Sequence, residues 1–233
     1  PRVPSRRHRR SSGLWSEYVA VFRLHGVSPG NARYPGPQAE LKMSNRIRIY
    51  MTGVGGQGTL TATTLLARVA VAQGVEGVAG VVESTILLGG WKSPKLGFGE
   101  ADIVLGFEPL ETLRGLRYLK QGGVVFSSTD VIPPLSVSAG REVAPGLDAV
   151  EQAVRDRASS AWFLPCRSMG IELGSAQCGN NMLLGALCAS GLLPFGFEAL
   201  EEGIRTFMPA KLVDVNLKAA ERGREILASS RLF

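Results

Sequence analysis

Residues 46–74, RIRIYMTGVGGQGTLTATTLLARVAVAQG, change period partway along, and that change decides the fold class. Arg46-Ile47-Arg48-Ile49-Tyr50-Met51 alternates and is rich in β-branched and aromatic residues, which predicts a strand ending at Gly53. After the glycines, Leu60, Leu65, Leu66, Val69 and Ala70 recur at helical spacing as far as Gly74. Between the two lies Gly53-Val54-Gly55-Gly56-Gln57-Gly58, which fits G-x-G-x-x-G at Gly53, Gly55 and Gly58. Glycine permits the tight turn, lets a backbone approach closely and exposes the N–H groups that open a helix to an anion. A strand, a glycine turn and a helix in this order open an α/β domain.

The turn alone leaves several readings open: an anion site, a dinucleotide site, or glycines that only allow the chain to turn and the helix to pack. Thr59 stands after Gly58 where a nucleotide triphosphatase loop would carry lysine, so that class is set aside. For a dinucleotide, Glu83 is the carboxylate placed to accept a ribose hydroxyl, although it lies rather far beyond Gly58.

Working outward, short apolar runs at 77–83, 101–107, 124–128 and 161–165 predict strands. Helical patterns cover 109–119, 148–158, 180–190, 197–207 and 209–228, the third apolar nearly all round and therefore buried. In residues 84–99, Ile86-Leu87-Leu88 is apolar, but Gly89, Gly90, Pro94, Gly97 and Gly99 break any regular element. Residues 131–147 read as a loop, with a short strand at 135–138 as the alternative. Strands alternating with helices give a three-layer, Rossmann-like α/β domain over 43–233, with a mostly parallel sheet and extra C-terminal helices.

The net charge of +6 does not belong to this domain. Residues 1–42 hold eight basic and two acidic residues, which accounts for all of it, and the remainder is balanced. A neutral body lacks the basic stripe that nucleic-acid binding needs. The tail, rich in Arg, Ser, Pro and Gly, is expected to be disordered or non-native upstream sequence ahead of Met43, with a transit peptide as the rival. No apolar run reaches the ~18 residues of a membrane span.

Both histidines, His8 and His25, lie in the tail, so the body has no imidazole for acid–base work or metal ligation. Cys166, Cys178 and Cys188 form no CxxC pair and are too few for a four-iron cluster; no metal site is expected. Their separation fits a reducing compartment, hence a cytoplasmic location. All three sit among apolar or small residues and read as buried packing. Glu108 and Glu111 flank the start of the predicted helix at 109, where capping and helix-dipole electrostatics compete with ligand binding or catalysis. Asn180, with Asn181 beside it, opens the buried helix, where capping or a hydrogen bond to a neighbouring loop competes with ligand contact. Trp91 could anchor an interface.

GVGGQGTLTATTLLARVAVAQG (53–74), with its doubled glycine and Gln57, resembles the opening of the gamma-type subunits of 2-oxoacid:ferredoxin oxidoreductases. EADIVLGFEPLETLRGLRYLKQGGVV (100–125) is similar to the indolepyruvate-type beta subunits of that family, and GNNMLLGAL (179–187) and KLVDVNLKAAERG (211–223) to their C-terminal half. The resemblance implies a subunit, inactive alone, of an enzyme that decarboxylates an arylpyruvate oxidatively and makes an acyl-CoA. Pyruvate or another 2-oxoacid is the alternative substrate. It implies thiamine diphosphate and iron–sulfur clusters on a companion large subunit, ferredoxin as acceptor, and no cofactor held by this chain alone. In that setting Gly53, Gly55, Gly56, Gln57 and Gly58 are the anion-facing candidates, with Glu83, Glu108 and Asn180 as secondary ones. The rivals from other classes are a stand-alone dinucleotide-binding protein and a catalytically silent structural subunit.

One departure stands out. Family members follow Glu-Ser with a segment containing Arg-Gly-Gly and then an extended apolar strand. Here Glu83-Ser84 is followed by TILLGGWKSPKLGFGE, with Gly89-Gly90 but no arginine before them, and the later strand is expected to be missing.

Overall fold

The computed structural model describes residues 46–80, 84–133 and 143–230. Six strands form one sheet: β1 (Ile47–Thr52), β2 (Gly77–Gly80), β3 (Thr85–Leu88), β4 (Ala101–Gly106), β5 (Leu119–Ser128) and β6 (Ser160–Leu164). Their order is β2-β3-β1-β4-β5-β6. β1, β4, β5 and β6 run parallel, whereas β3 is antiparallel to both β1 and β2. The helices are α1 (Thr59–Ala72), α2 (Pro109–Gly115), α3 (Leu147–Arg157), α4 (Cys166–Glu172), α5 (Asn180–Ala189), α6 (Phe197–Phe207) and α7 (Ala210–Ser229), with a 3₁₀ turn at Ala176–Gly179. The three-layer, mostly parallel α/β expectation is met.

Strand alternation sends side chains to two cores. Ile47, Ile49, Met51, Ile103, Leu105 and Phe126 face a large cluster built with α1, α5, α6 and α7. Leu87, Val104 and Val125 face a smaller one with Val150 and Val154 of α3. Both faces of the central strands are therefore covered, as a parallel sheet requires.

Two expectations need correction. Residues 84–99, expected to hold no regular element, contain one: Thr85–Leu88 is β3, fully buried between β1 and β2. It follows Ser84 directly and precedes Gly89-Gly90, and the described residues between Gly90 and Ala101 form no strand. The helix expected over 109–119 stops at Gly115, and β5 starts at Leu119 rather than 124. A register shift pairs Ala101 with Leu119 but Ile103 with Val124, and the bulged loop is held by Lys120 Nζ on Asp102 Oδ1 at 2.6 Å. Trp91 is half-buried, with the guanidinium groups of Arg46 and Arg48 over its ring. Helix α4 was not anticipated. The possible strand at 135–138, the tail and part of the 77–83 run lie outside the described residues. No described helix is long and apolar enough to cross a membrane.

Helix α5 crosses α7 at backbone contact distance. A Cβ on Gly185 would collide with the carbonyl of Ala220, and one on Gly223 with that of Met182. Neither clash can be relieved by turning a side chain. Gly185→Ala and Gly223→Ala should each lower unfolding stability by about 1–3 kcal/mol, the usual cost of overpacking. Urea denaturation measures this, and a neutral result would show that the two helices can separate freely.

Candidate functional site

At the end of β1 the chain must turn tightly while β4 closes in beside it. Phe107 N donates to Thr52 O at 2.8 Å, which holds the two strand ends together. A Cβ on Gly53 would stand 2.5 Å from Thr59 Oγ1 and 3.1 Å from Phe107 Cβ, so a larger residue here would force Thr59 to move. Gln57 then folds back into the turn. Val54 N donates to Gln57 Oε1 at 2.6 Å, and Gln57 N to Val54 O at 3.1 Å. Asn180, the first residue of α5, donates from Nδ2 to Gln57 O at 2.6 Å. Gln57 and Asn180 thus spend these groups on holding the turn's shape.

Gly58, at φ +86°, caps α1 without a side-chain hydrogen bond, and the first turn of α1 carries no acidic residue. The opening N–H groups of a helix left in this state form a site for negative charge. Gly55 and Gly56 are exposed on the crest of the turn, with a depression on either side. One, of about 220 Å³, is bounded by Phe107, Ile132, Arg167 and Gln177. The other, of about 520 Å³, is bounded by Tyr50, Thr59, Leu60 and Ser84. α1 packs on one face of the sheet and α2 on the other. The turn therefore sits at the switch point between β1 and β4, the usual ligand crevice of an open α/β sheet.

Arg167 brings positive charge to the smaller depression. Its backbone N donates to Asp130 Oδ2 at 2.7 Å, and Asp130 also receives Ser168 N at 3.1 Å and Ser168 Oγ at 2.8 Å. Asp130 is thus engaged at the start of α4. Arg167 sits in no sequence motif, and Ser84 is marked only by the Glu-Ser pair; the convergence of strand ends brings both to the turn.

Glu108 is 1% exposed and caps α2: its Oε2 accepts from Glu111 N at 2.9 Å, and its Oε1 from Ile132 N at 3.4 Å. Burial raises its pKa above the ordinary carboxylate value, against the lowering effect of the backbone N–H groups of Glu111, Ile132 and Leu110. Glu111 is paired with Arg114 along the helix. Glu108 therefore stitches the start of α2 to the loop after β5. Glu83 lies outside the described residues.

Cys166, Cys178 and Cys188 are all buried, and burial pushes their thiol pKa values up. Among the described residues no three His, Cys, Asp or Glu side chains are grouped to hold a metal ion. These thiols do not fit an iron–sulfur cluster. Among the described residues the crevice offers uncharged N–H and hydroxyl groups and the side chain of Arg167, a donor set suited to an oxyanion such as a diphosphate.

The family model for pyruvate ferredoxin/flavodoxin oxidoreductase matches residues 48–226. Indolepyruvate oxidoreductase subunit IorB from Pyrococcus horikoshii is 36% identical over 187 residues, which are 75% of this chain and 93% of that subunit. Among solved structures, the gamma subunit of keto/oxoacid ferredoxin oxidoreductase from Geobacter sulfurreducens has the same fold, with a TM-score of 0.56 and 20% identity over 79% of this chain and 99% of its own. The 2-oxoglutarate:ferredoxin oxidoreductase from Magnetococcus marinus matches 81% of this chain with only 32% of its own, at a TM-score of 0.56 and 15% identity.

Glu108 gives a pH-dependent test. Its folded pKa is raised, so between the unfolded and folded values the native state holds the extra proton. The associated stability is full below the ordinary carboxylate value and is lost as pH rises through the raised one. Glu108→Gln cannot ionise. Its stability relative to wild type should therefore climb with pH over that window and then level off. Glu108→Ala should cost about 1 kcal/mol through the lost cap. Denaturant midpoints across the acidic range check this, and a flat difference between Gln variant and wild type would contradict it.

Proposed function

The chain belongs to the pyruvate ferredoxin/flavodoxin oxidoreductase family, and from that premise we propose that it is the subunit of an indolepyruvate-type ferredoxin oxidoreductase that carries no redox cofactor itself. The observation that carries this is the 36% identity to an IorB subunit across 93% of that subunit's length. The complete enzyme oxidatively decarboxylates an arylpyruvate to the acyl-CoA and passes the electrons to ferredoxin, in the cytoplasm. A large partner subunit holds the thiamine diphosphate and the iron–sulfur clusters. The absence of imidazole from residues 43–233 and the buried, scattered thiols support that division of labour.

In this reading the C-terminal edge of the sheet faces the partner. The turn at 53–58, the uncapped start of α1 and Arg167 supply N–H groups and positive charge to a diphosphate, from thiamine diphosphate or CoA, at the joint between subunits. Glu108 and Asn180 hold the walls of the crevice. The side chain of the 2-oxoacid is read by the complex rather than by any motif of this chain.

Co-expression with the thiamine- and cluster-binding subunit tests the proposal. The expected outcome is a stable hetero-oligomer that reduces ferredoxin when given indolepyruvate and CoA, with neither subunit active alone. A chain that stays monomeric beside that partner and binds NAD would sink it.

A further inference from the structure

Ser84 is the one described residue other than glycine with a positive φ, +42°. An L side chain is disfavoured there, and glycine is the residue that adopts the conformation without penalty. The position is fixed by its neighbours: Ser84 O accepts a hydrogen bond from Met51 N at 2.9 Å, just ahead of the glycine turn, and β3 begins at the next residue. The side chain lines the 520 Å³ depression beside Thr59, Leu60 and the turn glycines. It makes no hydrogen bond with any described residue. Thr59 Oγ1, in the wall of the same depression, is buried and also lacks a partner. A strained serine thus stands where folding alone favours glycine, with its hydroxyl unclaimed and next to the crest of the turn. Strain of this kind persists where the side chain serves a site.

The geometry points to Ser84 as a ligand-contacting residue of the crevice, its hydroxyl donating to an oxyanion of a phosphate-bearing group seated on Gly55, Gly56 and the start of α1. This rests on the anion-facing reading of the turn given above. It adds that the depression on the β3 side, and not only the Arg167 side, receives the ligand.

Inorganic pyrophosphate titrated calorimetrically into the full chain is the probe, with Ser84→Gly and Ser84→Ala as variants. Wild type should bind it, and each variant should bind about five- to ten-fold more weakly, the worth of one hydrogen bond. Ser84→Gly should at the same time melt no lower than wild type, since relief of the strained backbone offsets a looser unfolded chain. Affinity lost while stability is kept separates ligand contact from a structural role. Variants that bind as tightly as wild type, or a glycine variant that melts lower, would overturn the assignment of Ser84 while leaving the anion reading intact. A wild-type chain that ignores pyrophosphate would remove both.

Discussion

A single hydrogen bond, from Asn180 Nδ2 to the carbonyl oxygen of Gln57 at 2.6 Å, joins the helical C-terminal part of the chain to the first turn of the sheet. The glycines make the 53–58 turn possible, but freedom to adopt a shape does not select one. Selection comes from Gln57 closing the turn on Val54 N and from Asn180 holding Gln57 in place. Asn180 is itself positioned by α5, which is locked against α7 by backbone contact at Gly185 and Gly223 and by Asn181 Nδ2 on Asn216 Oδ1 at 2.6 Å. The extra helices therefore act as the brace of the crevice.

This explains which parts of the molecule could be read from residues alone. The unit at 46–74 is legible because its two periods and its glycines are local signals, and the structure reproduces it closely. β3 is not legible, because four residues buried on both faces show no alternation, and the glycines after Leu88 suggest disruption instead. The start of β5 is hidden for a different reason: Gly122-Gly123 reads as a helix stop, yet it forms the outer part of a bulge whose first paired residue is Leu119. Of the site, the turn glycines are legible through their motif. Arg167 is not, and the Glu83-Ser84 pair does not by itself say that Ser84 reaches the turn, since each is carried there by the end of a different strand.

The chemistry available is correspondingly spare. Donors outnumber charges, the buried carboxylate of Glu108 is occupied with backbone N–H groups, and the thiols are sealed in the core. Such a surface is suited to fixing the position of a phosphate-bearing group and excluding water around it. That suits a subunit that completes a site whose reacting atoms lie on its partner, and it suits a fold that in the Magnetococcus marinus enzyme aligns with about a third of a longer chain.

The claim that the C-terminal edge of the sheet is the working face is tested most directly by amide hydrogen exchange, comparing the free chain with the chain bound to its large partner. Residues 53–60 and 130–133 should exchange more slowly in the complex, while the exposed outer turns of α3 stay unchanged. Unaltered exchange across the glycine turn in an assembled, active complex would contradict it.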